Sequence, residues 1–384
     1  MKEFSHSIEE KISQDLSRKM VFLSGPRQIG KTTLAKQIIT NLNGIYLLYD
    51  NNDDRQIILK QSFDKNGLIC LDEFHKYSRW KDYLKGVYDK HKDQLNFLIT
   101  GSARLDIYQQ SGDSLFGRFF LHFLYPLTLA ELHQKKIHLI SDFLIPHEQL
   151  NGLEELMQFG GFPEPFFLAK EDELRRWNNQ RRELLIREDL SQLTQITLLS
   201  IAEKLMILLP DRIGSLFSYQ SLAEDLHISS QTVQNWLYNF ERLFIVFKLF
   251  PYSKQINRSI NKRPKYYLWN WTDITNKGAR FENLVALHLY KSVQTWQSLG
   301  LANCNLHFIQ DRSNKKVDFL VTKEGHPWFL VEVKDQDSTI SKNLLFFSKK
   351  LNIPGIQLVQ KKGMFKQIEN CIVCSADRWL GHLQ

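Results

Sequence analysis

A chain of 384 residues has room for two to four compact units, and its 43% apolar and 24% charged content excludes a collagen, a mucin or a disordered tail. Fifty Lys and Arg against 42 Asp and Glu leave a formal charge of +8, a moderately basic balance that suits nucleic acid without demonstrating it. No apolar run approaches the roughly 18–20 residues of a membrane span, and the opening MKEFSHSIEEKISQDLSRK reads as a polar amphipathic helix rather than a secretory leader, so a cytoplasmic protein is expected.

The next stretch, MVFLSGPRQIGKTTLAKQIITNL, runs from an apolar strand through a glycine-bearing loop into a helix with apolar residues at helical spacing. Gly25, Gly30, Lys31 and Thr32 satisfy G-x-x-x-x-G-K-[ST], with Pro26, Arg27, Gln28 and Ile29 between the glycines and Thr33 following. The glycines let the backbone turn its N–H groups toward the phosphates of ATP, and the helix beginning at Gly30 adds its positive end. Lys31 is placed for the β- and γ-phosphates and the Thr32 hydroxyl for Mg²⁺.

A second strand, LICL, ends in Asp72 and Glu73. Beside a P-loop, Asp72 would hold the ion through water and Glu73 would polarise the attacking water; by itself such a pair also suits a helix N-terminus. The next apolar run, LNFLITGSA, ends in Thr100, Gly101 and Ser102, polar groups at a strand end within reach of a γ-phosphate. A helix-like RLDIYQQSGDSLFGR follows, with Arg118 at the foot of another apolar strand, where a cation also suits a helix C-terminus.

Taken with GGFPEPF further on, the segments GPRQIGKT, LDEFHKYSRWKDYLKGVYD, LITGSA and SLFGRFF resemble a large group of bacterial and archaeal AAA+ ATPases whose C-terminal half is uncharacterised. The resemblance runs nearly the full chain. It implies an arginine finger at Arg118, reaching a neighbouring subunit's nucleotide, and hence a homo-oligomer such as a ring. It also implies that the helical region between Leu139 and Asp211 is a lid. One departure is Asn270, where the family has Asp, followed by Trp271 in place of a small residue.

Within that region DELRRWNNQRRELLIREDL carries many cations, either a solvated helix face or a phosphate-facing stripe. SYQSLAEDLHISSQTVQNWLYNFERLFIVFKL then reads helix, turn, helix. Leu222, Ala223 and Leu226 share one face, Ser230 is the expected N-cap, and Val233, Trp236 and Leu237 line the second helix. With IVFKLFPYS and RPKYYLWNW as wing strands this makes a winged helix, with Gln231, Gln234 and Asn235 facing outward toward DNA. Its second helix has few cations, so a protein-docking module is the competing reading.

Last come GARFENLVALHLYKSV, expected as an amphipathic helix bearing Glu282, and two strands joined at KEGHP. Period 2 puts Glu332 and Lys334 on one face of the second strand, where Asp318 joins them across the hairpin. This resembles the PD-(D/E)xK nuclease core, with Val317-Asp318 in place of Pro-Asp; its acids imply a bound cation, and a plain salt bridge is the alternative. Cys371 and Cys374 form a C-x-x-C with no second pair nearby, read as idle buried thiols.

The expected fold is therefore α/β: an AAA+ P-loop core at 1–138, a helical lid at 139–211, a winged helix at 212–272 and a restriction-endonuclease-like α/β domain at 273–384. The expected activity is Mg²⁺-dependent ATP hydrolysis driving DNA remodelling. An ATP-gated nuclease and a nucleotide-controlled scaffold without DNA are the alternatives.

Overall fold

The computed structural model describes residues 6–63, 67–101, 115–145, 147–191, 199–253, 263–336 and 339–383. Ser102 and most of the RLDIYQQSGDSLFGR segment lie outside them, as does the middle of the expected wing at 254–262. The chain divides into two compact units, Met1–Tyr125 and Pro126–Gln384.

The first unit is a parallel sheet flanked by helices. Its strands are β1 (Met20–Ser24), β2 (Ile45–Leu48), β3 (Gly67–Asp72), β4 (Leu95–Thr100) and β5 (Phe119–Phe123), in the order β2-β3-β4-β1-β5. Helices α1 (Glu9–Leu16), α2 (Lys31–Asn41), α3 (Asn52–Lys60) and α4 (Trp80–His91) accompany them. Strands β1 and β4 are apolar runs because a parallel sheet covered by helices is buried on both faces; Val21, Phe22, Leu23, Leu98 and Ile99 have no exposed surface. The order places β4 between the P-loop strand β1 and the acid-bearing β3. The three strand ends therefore open side by side at the carboxyl edge, where ligands bind in open α/β sheets.

The second unit begins with the short α5 (Leu129–Leu132), then α6 (Leu153–Phe159), α7 (Pro163–Leu168) and α8 (Glu171–Leu184), which passes into a π-helical turn over Leu185–Leu190. Helix α9 (Leu199–Leu208) precedes the pair α10 (Tyr219–Leu226) and α11 (Ser230–Arg242), whose apolar faces are buried as expected. The cap of α11 is Ser229, one residue earlier than the sequence reading, with its hydroxyl accepting from Thr232 N at 3.0 Å. Strands β6 (Val246–Leu249) and β7 (Lys265–Leu268) pair antiparallel, and Leu216 bridges to Lys265 on the other edge of β7.

Helix α12 (Lys277–Ser298) is buried around its whole circumference rather than amphipathic, with Leu284, Val285, Ala286 and Leu287 all fully covered. After it, β8 (Cys304–Gln310), β9 (Lys316–Lys323) and β10 (His326–Lys334) form an antiparallel meander. Glu324 and Gly325, both at positive φ, supply the tight turn between β9 and β10. Helix α13 (Lys342–Leu351) crosses over to β11 (Gly355–Val359), parallel to β10, and β12 (Phe365–Ile368), β13 (Cys371–Ser375) and α14 (Ala376–Trp379) complete a sheet ordered β12-β13-β11-β10-β9-β8.

Both thiols of the C-x-x-C are buried and free, and a spacing of three on β13 sends them to opposite faces of the sheet. Burial pushes Cys374 up to about 12, so it stays a thiol.

Candidate functional site

Strand β1 delivers the chain into the P-loop at Gly25, which has φ +147; a Cβ there would stand 2.5 Å from Leu124 O. That approach is imposed by β5 pairing with β1 as far as Ser24 and Phe123. Glycine is thus required twice over, for conformation and for space. Ile29 is buried and pins the loop to the core, while Gly30 at φ +99 caps α2. Lys31 opens that helix, only 8% exposed, and its Nζ donates to Gly25 O at 3.0 Å and Pro26 O at 2.7 Å. Arg27 and Gln28 are half-buried, and Thr33 faces outward on α2.

Four donors converge on the buried carboxylate of Asp72. Thr32 Oγ1 donates to Oδ2 at 2.9 Å, the Tyr46 hydroxyl donates to the same oxygen, Thr100 Oγ1 donates to Oδ1, and Glu73 N reaches Oδ1 at 3.0 Å. The sequence reading named all of these residues but Tyr46, which lies on β2 in no motif and gave no local signal. Burial and the Asp72 carboxylate push the Tyr46 hydroxyl above its ordinary range, which keeps it a donor. Thr100 arrives between the P-loop and β3 because β4 does, and this explains a polar residue ending an apolar strand.

Glu73 leaves β3 in the left-handed region at φ 55, so its side chain departs from the line of the strand. Burial, then the Asp72 charge, raises its carboxyl above the ordinary range. A carboxylate beside a second carboxylate, with His75 Nδ1 at 3.6 Å and Lys76 Nζ at 3.9 Å, has the setting of a general base.

Arg118 is not brought to this cluster within the chain. It immediately precedes β5, which pairs Phe119 with Met20, so it stands at the amino edge of the sheet while the P-loop stands at the carboxyl edge. A five-residue strand, roughly 16 Å, separates them. There Asp89 on α4 holds its guanidinium through two parallel bonds of 2.8 and 3.0 Å.

A second cluster lies at the β9–β10 hairpin. Asp318 and Glu332 exchange contacts across the strands: Asp318 N donates to Glu332 Oε2 at 3.4 Å, and Val333 N donates to Asp318 Oδ2 at 3.0 Å. Lys334 Nζ meets Glu332 Oε1 at 2.8 Å. Glu282 on α12 comes to the same place, accepting from Tyr267 OH at 2.8 Å and Lys265 Nζ at 3.3 Å. Burial, then the Asp318 charge, lifts Glu332 to about 7 and raises Glu282 too. The four residues expected to converge here do so; Lys265 and Tyr267, from the β7 strand, were missed because nothing in the sequence links that strand to this hairpin.

The two clusters differ in their fit to a metal. At the P-loop, a hydroxyl and a carboxylate oxygen lie 2.9 Å apart beside a glycine cradle, an oxygen donor set suited to a hard ion such as Mg²⁺. At the hairpin the carboxylates are already met by Lys265, Tyr267 and Lys334. Among the described residues no group of three or more His, Cys, Asp or Glu is placed to hold a metal ion. The acids are paired, in the manner of the salt-bridge alternative that the sequence also offered.

Gln231, Gln234 and Asn235 are exposed on α11, with Gln231 Nε2 donating to Asn235 Oδ1 at 3.1 Å. Tyr238 continues that face and carries the Arg242 guanidinium 5.7 Å over its ring. The cations of α8 and of the π-helical turn after it pair largely with their own surroundings: Arg175 and Arg187 with Glu171 and Glu183 one turn back, and Arg182 with Asp273, while Arg181 lies buried over the Phe162 ring. Asn270 caps the turn at Thr272 and donates to Asn178 Oδ1 at 2.9 Å, while Trp271 Nε1 donates to Leu156 O. Both residues hold elements together.

Against known protein families, residues 17–133 match the AAA domain, residues 150–271 a domain of unknown function (DUF8612) and residues 277–377 another (DUF4143). The chain thus carries an AAA-type P-loop domain, in keeping with its parallel sheet. The uncharacterized protein Rv2008c of Mycobacterium tuberculosis is 22% identical over 336 residues, 85% of this chain and 72% of that protein. The uncharacterized protein MJ1637 of Methanocaldococcus jannaschii is 26% identical over 349 residues, covering 75% and 72%. Among solved structures, the Thermotoga maritima RuvB Holliday junction branch migration motor aligns over 63% of this chain and 88% of its own, at 17% identity and a TM-score of 0.32. The Aeropyrum pernix ORC1 protein in complex with DNA aligns over 73% and 91%, at 12% identity and a TM-score of 0.34. At such scores these superpositions carry no argument about this chain. No helix among the described residues is long and apolar enough to cross a membrane.

Proposed function

We propose that this protein is a Mg²⁺-dependent AAA+ ATPase that works as a homo-oligomer and uses hydrolysis to bind and remodel DNA. The observation that carries the ATPase reading is the convergence of Thr32, Thr100 and the Glu73 amide on Asp72, directly beside the P-loop. When bound, Mg²⁺ would neutralise phosphate charge, with Thr32 and Asp72 holding it. Lys31, already at the loop, would turn its ammonium from the Gly25 and Pro26 carbonyls to the phosphates. Glu73 would take a proton from the attacking water, and Thr100 would orient Asp72. Arg118, a strand length from its own P-loop, is proposed to serve a neighbouring subunit once Asp89 releases it.

The segments 139–211, 212–272 and 273–384 are proposed as helical lid, winged helix and nuclease-like domain. Support for the winged helix is the capped helix pair α10–α11 followed by the β6–β7 pair with Leu216 on its edge. Support for DNA is the exposed polar face of Gln231, Gln234 and Asn235 and the chain's basic balance. The deciding experiment is ATP hydrolysis with and without Mg²⁺, and with single-stranded, duplex or four-way-junction DNA, each reaction also run on a gel. Hydrolysis that needs Mg²⁺, rises with one DNA form and falls at least about a hundredfold in Lys31→Ala is expected. Hydrolysis indifferent to every DNA would instead favour the nucleotide-controlled scaffold, and hydrolysis surviving Lys31→Ala would refute the site.

A further inference from the structure

The acidic pocket of the terminal domain contains a positive charge of its own. Lys265 is the first residue of β7, yet its ammonium does not reach solvent: the residue is 4% exposed, and Nζ lies 3.3 Å from Glu282 Oε1 and 4.0 Å from Asp318 Oδ1, over the Phe308 ring. Three further features fix it there. Tyr267, two residues along on the same face of β7, binds the same Glu282 oxygen at 2.8 Å. Gly214, at φ +72, lies so close to that carboxylate that a Cβ would stand 2.9 Å from Oε1. The Leu216–Lys265 bridge ties the strand to the turn that Gly214 begins.

We infer that Lys265 is the resident cation of this pocket, a tethered ammonium standing between Glu282 and Asp318 where a nuclease of this architecture needs a divalent ion. Glu282, Asp318 and Glu332 contribute three carboxylates, and Lys265 and Lys334 answer two of them. What remains is too little negative charge to draw a dication from its water. The strand that closes the pocket belongs to the α10–α11 module, so the module and the pocket form one closed body within the second unit. With the lysine in place this domain takes up no metal and cuts no DNA. The inference concerns a different site from the P-loop and stands whether or not the ATPase reading does.

The test uses the full chain without nucleotide and Mn²⁺ as probe, followed by its spin resonance. The wild type should bind no Mn²⁺ that Asp318→Asn removes. Lys265→Met should gain one ion per chain, at least about tenfold tighter than any wild-type uptake, and Lys265→Met with Glu282→Gln should lose it again. Folding of each variant is read by circular dichroism. Should Lys265→Met fail to fold, the wild type still decides: incubated with Mn²⁺ and supercoiled DNA it should leave the DNA intact. Cutting by the wild type that Lys334→Ala abolishes would overturn the inference, as would a wild-type Mn²⁺ site lost on Asp318→Asn. A folded Lys265→Met chain that gains no ion would overturn it equally.

Discussion

Tyr46 stands on β2 opposite Cys70 of β3, and its hydroxyl donates to Asp72 Oδ2 beside Thr32 Oγ1. It touches no position where substrate is expected, so it acts through Asp72 as a positioning residue. In Tyr46→Phe that oxygen keeps Thr32 but loses its second donor, which leaves the carboxylate freer to rotate. A bond to a charged acceptor contributes about 1.5–3 kcal/mol, so kcat/KM should fall by roughly 10- to 100-fold, with the Mg²⁺ concentration for half-maximal rate rising. Circular dichroism and unfolding midpoint should stay near the wild type; a variant that loses rate only in proportion to lost fold would make Tyr46 merely structural. The contrast with Lys31 marks what a sequence carries at this scale. Gly25, Gly30, Lys31 and Thr32 declare themselves because their spacing along the chain is their geometry. Tyr46 and Lys265 owe their roles to partners 26 and 17 residues away, brought near by strand pairing that no local pattern encodes.

Elements show the same division. Strands β1, β3 and β4 of the first unit were legible because burial on both faces writes an unbroken apolar run, whereas the half-buried β2 went unread; the α10–α11 pair was legible because three apolar residues per helix recur at helical spacing. Helix α12, expected as amphipathic, buries its polar residues as well: His288, Lys291 and Asn283 are each buried with a partner, Leu129 N, Glu131 and the Leu268 backbone respectively. GGFPEPF entered the sequence reading as a turn and as part of the family resemblance, and the structure supplies its physics. The turn between α6 and α7 packs so tightly that a Cβ on Gly161 would meet Leu127 O and Pro126 Cβ at 2.8 Å and the Trp271 ring at 2.9 Å. Backbone cannot yield as a side-chain tip can. Gly161→Ala should therefore cost about 1–3 kcal/mol, seen as a lower urea midpoint with unchanged slope. Gly278→Ala, where the nearest atom stands 3.4 Å away on an exposed Asn276 side chain, should shift it far less. Equal shifts would remove tight packing as the reason for the second glycine.

At the scale of the whole chain, the boundary between units does not coincide with the edge of the AAA-domain match, which runs to residue 133 while the first unit ends at Tyr125. The intervening residues are held by the second unit. Leu127 N donates to Gly161 O at 2.7 Å, Leu129 N to His288 Nε2 at 3.0 Å, and the buried Glu131 pairs with Lys291 on α12. The acceptor role of Nε2 requires a neutral imidazole with its proton on Nδ1, facing Leu284 O at 2.9 Å; burial lowers this His to about 4, which keeps it neutral. A fragment begun at 134 would leave Lys291 charged and buried without its carboxylate, a change that costs about 3–5 kcal/mol when one partner of a buried pair is removed. A fragment begun at Pro126 would keep every one of these contacts. Expressed side by side, residues 126–384 should unfold in urea as one cooperative transition, and residues 134–384 should unfold at a lower midpoint or fail to fold. Restoring the pair's neutrality with Lys291→Met in the shorter fragment should recover part of the loss, because the stranded charge rather than the missing helix is its larger source. Equal midpoints for the two fragments would mean that α5 adds nothing to the second unit, and the break would then belong at the edge of the AAA match.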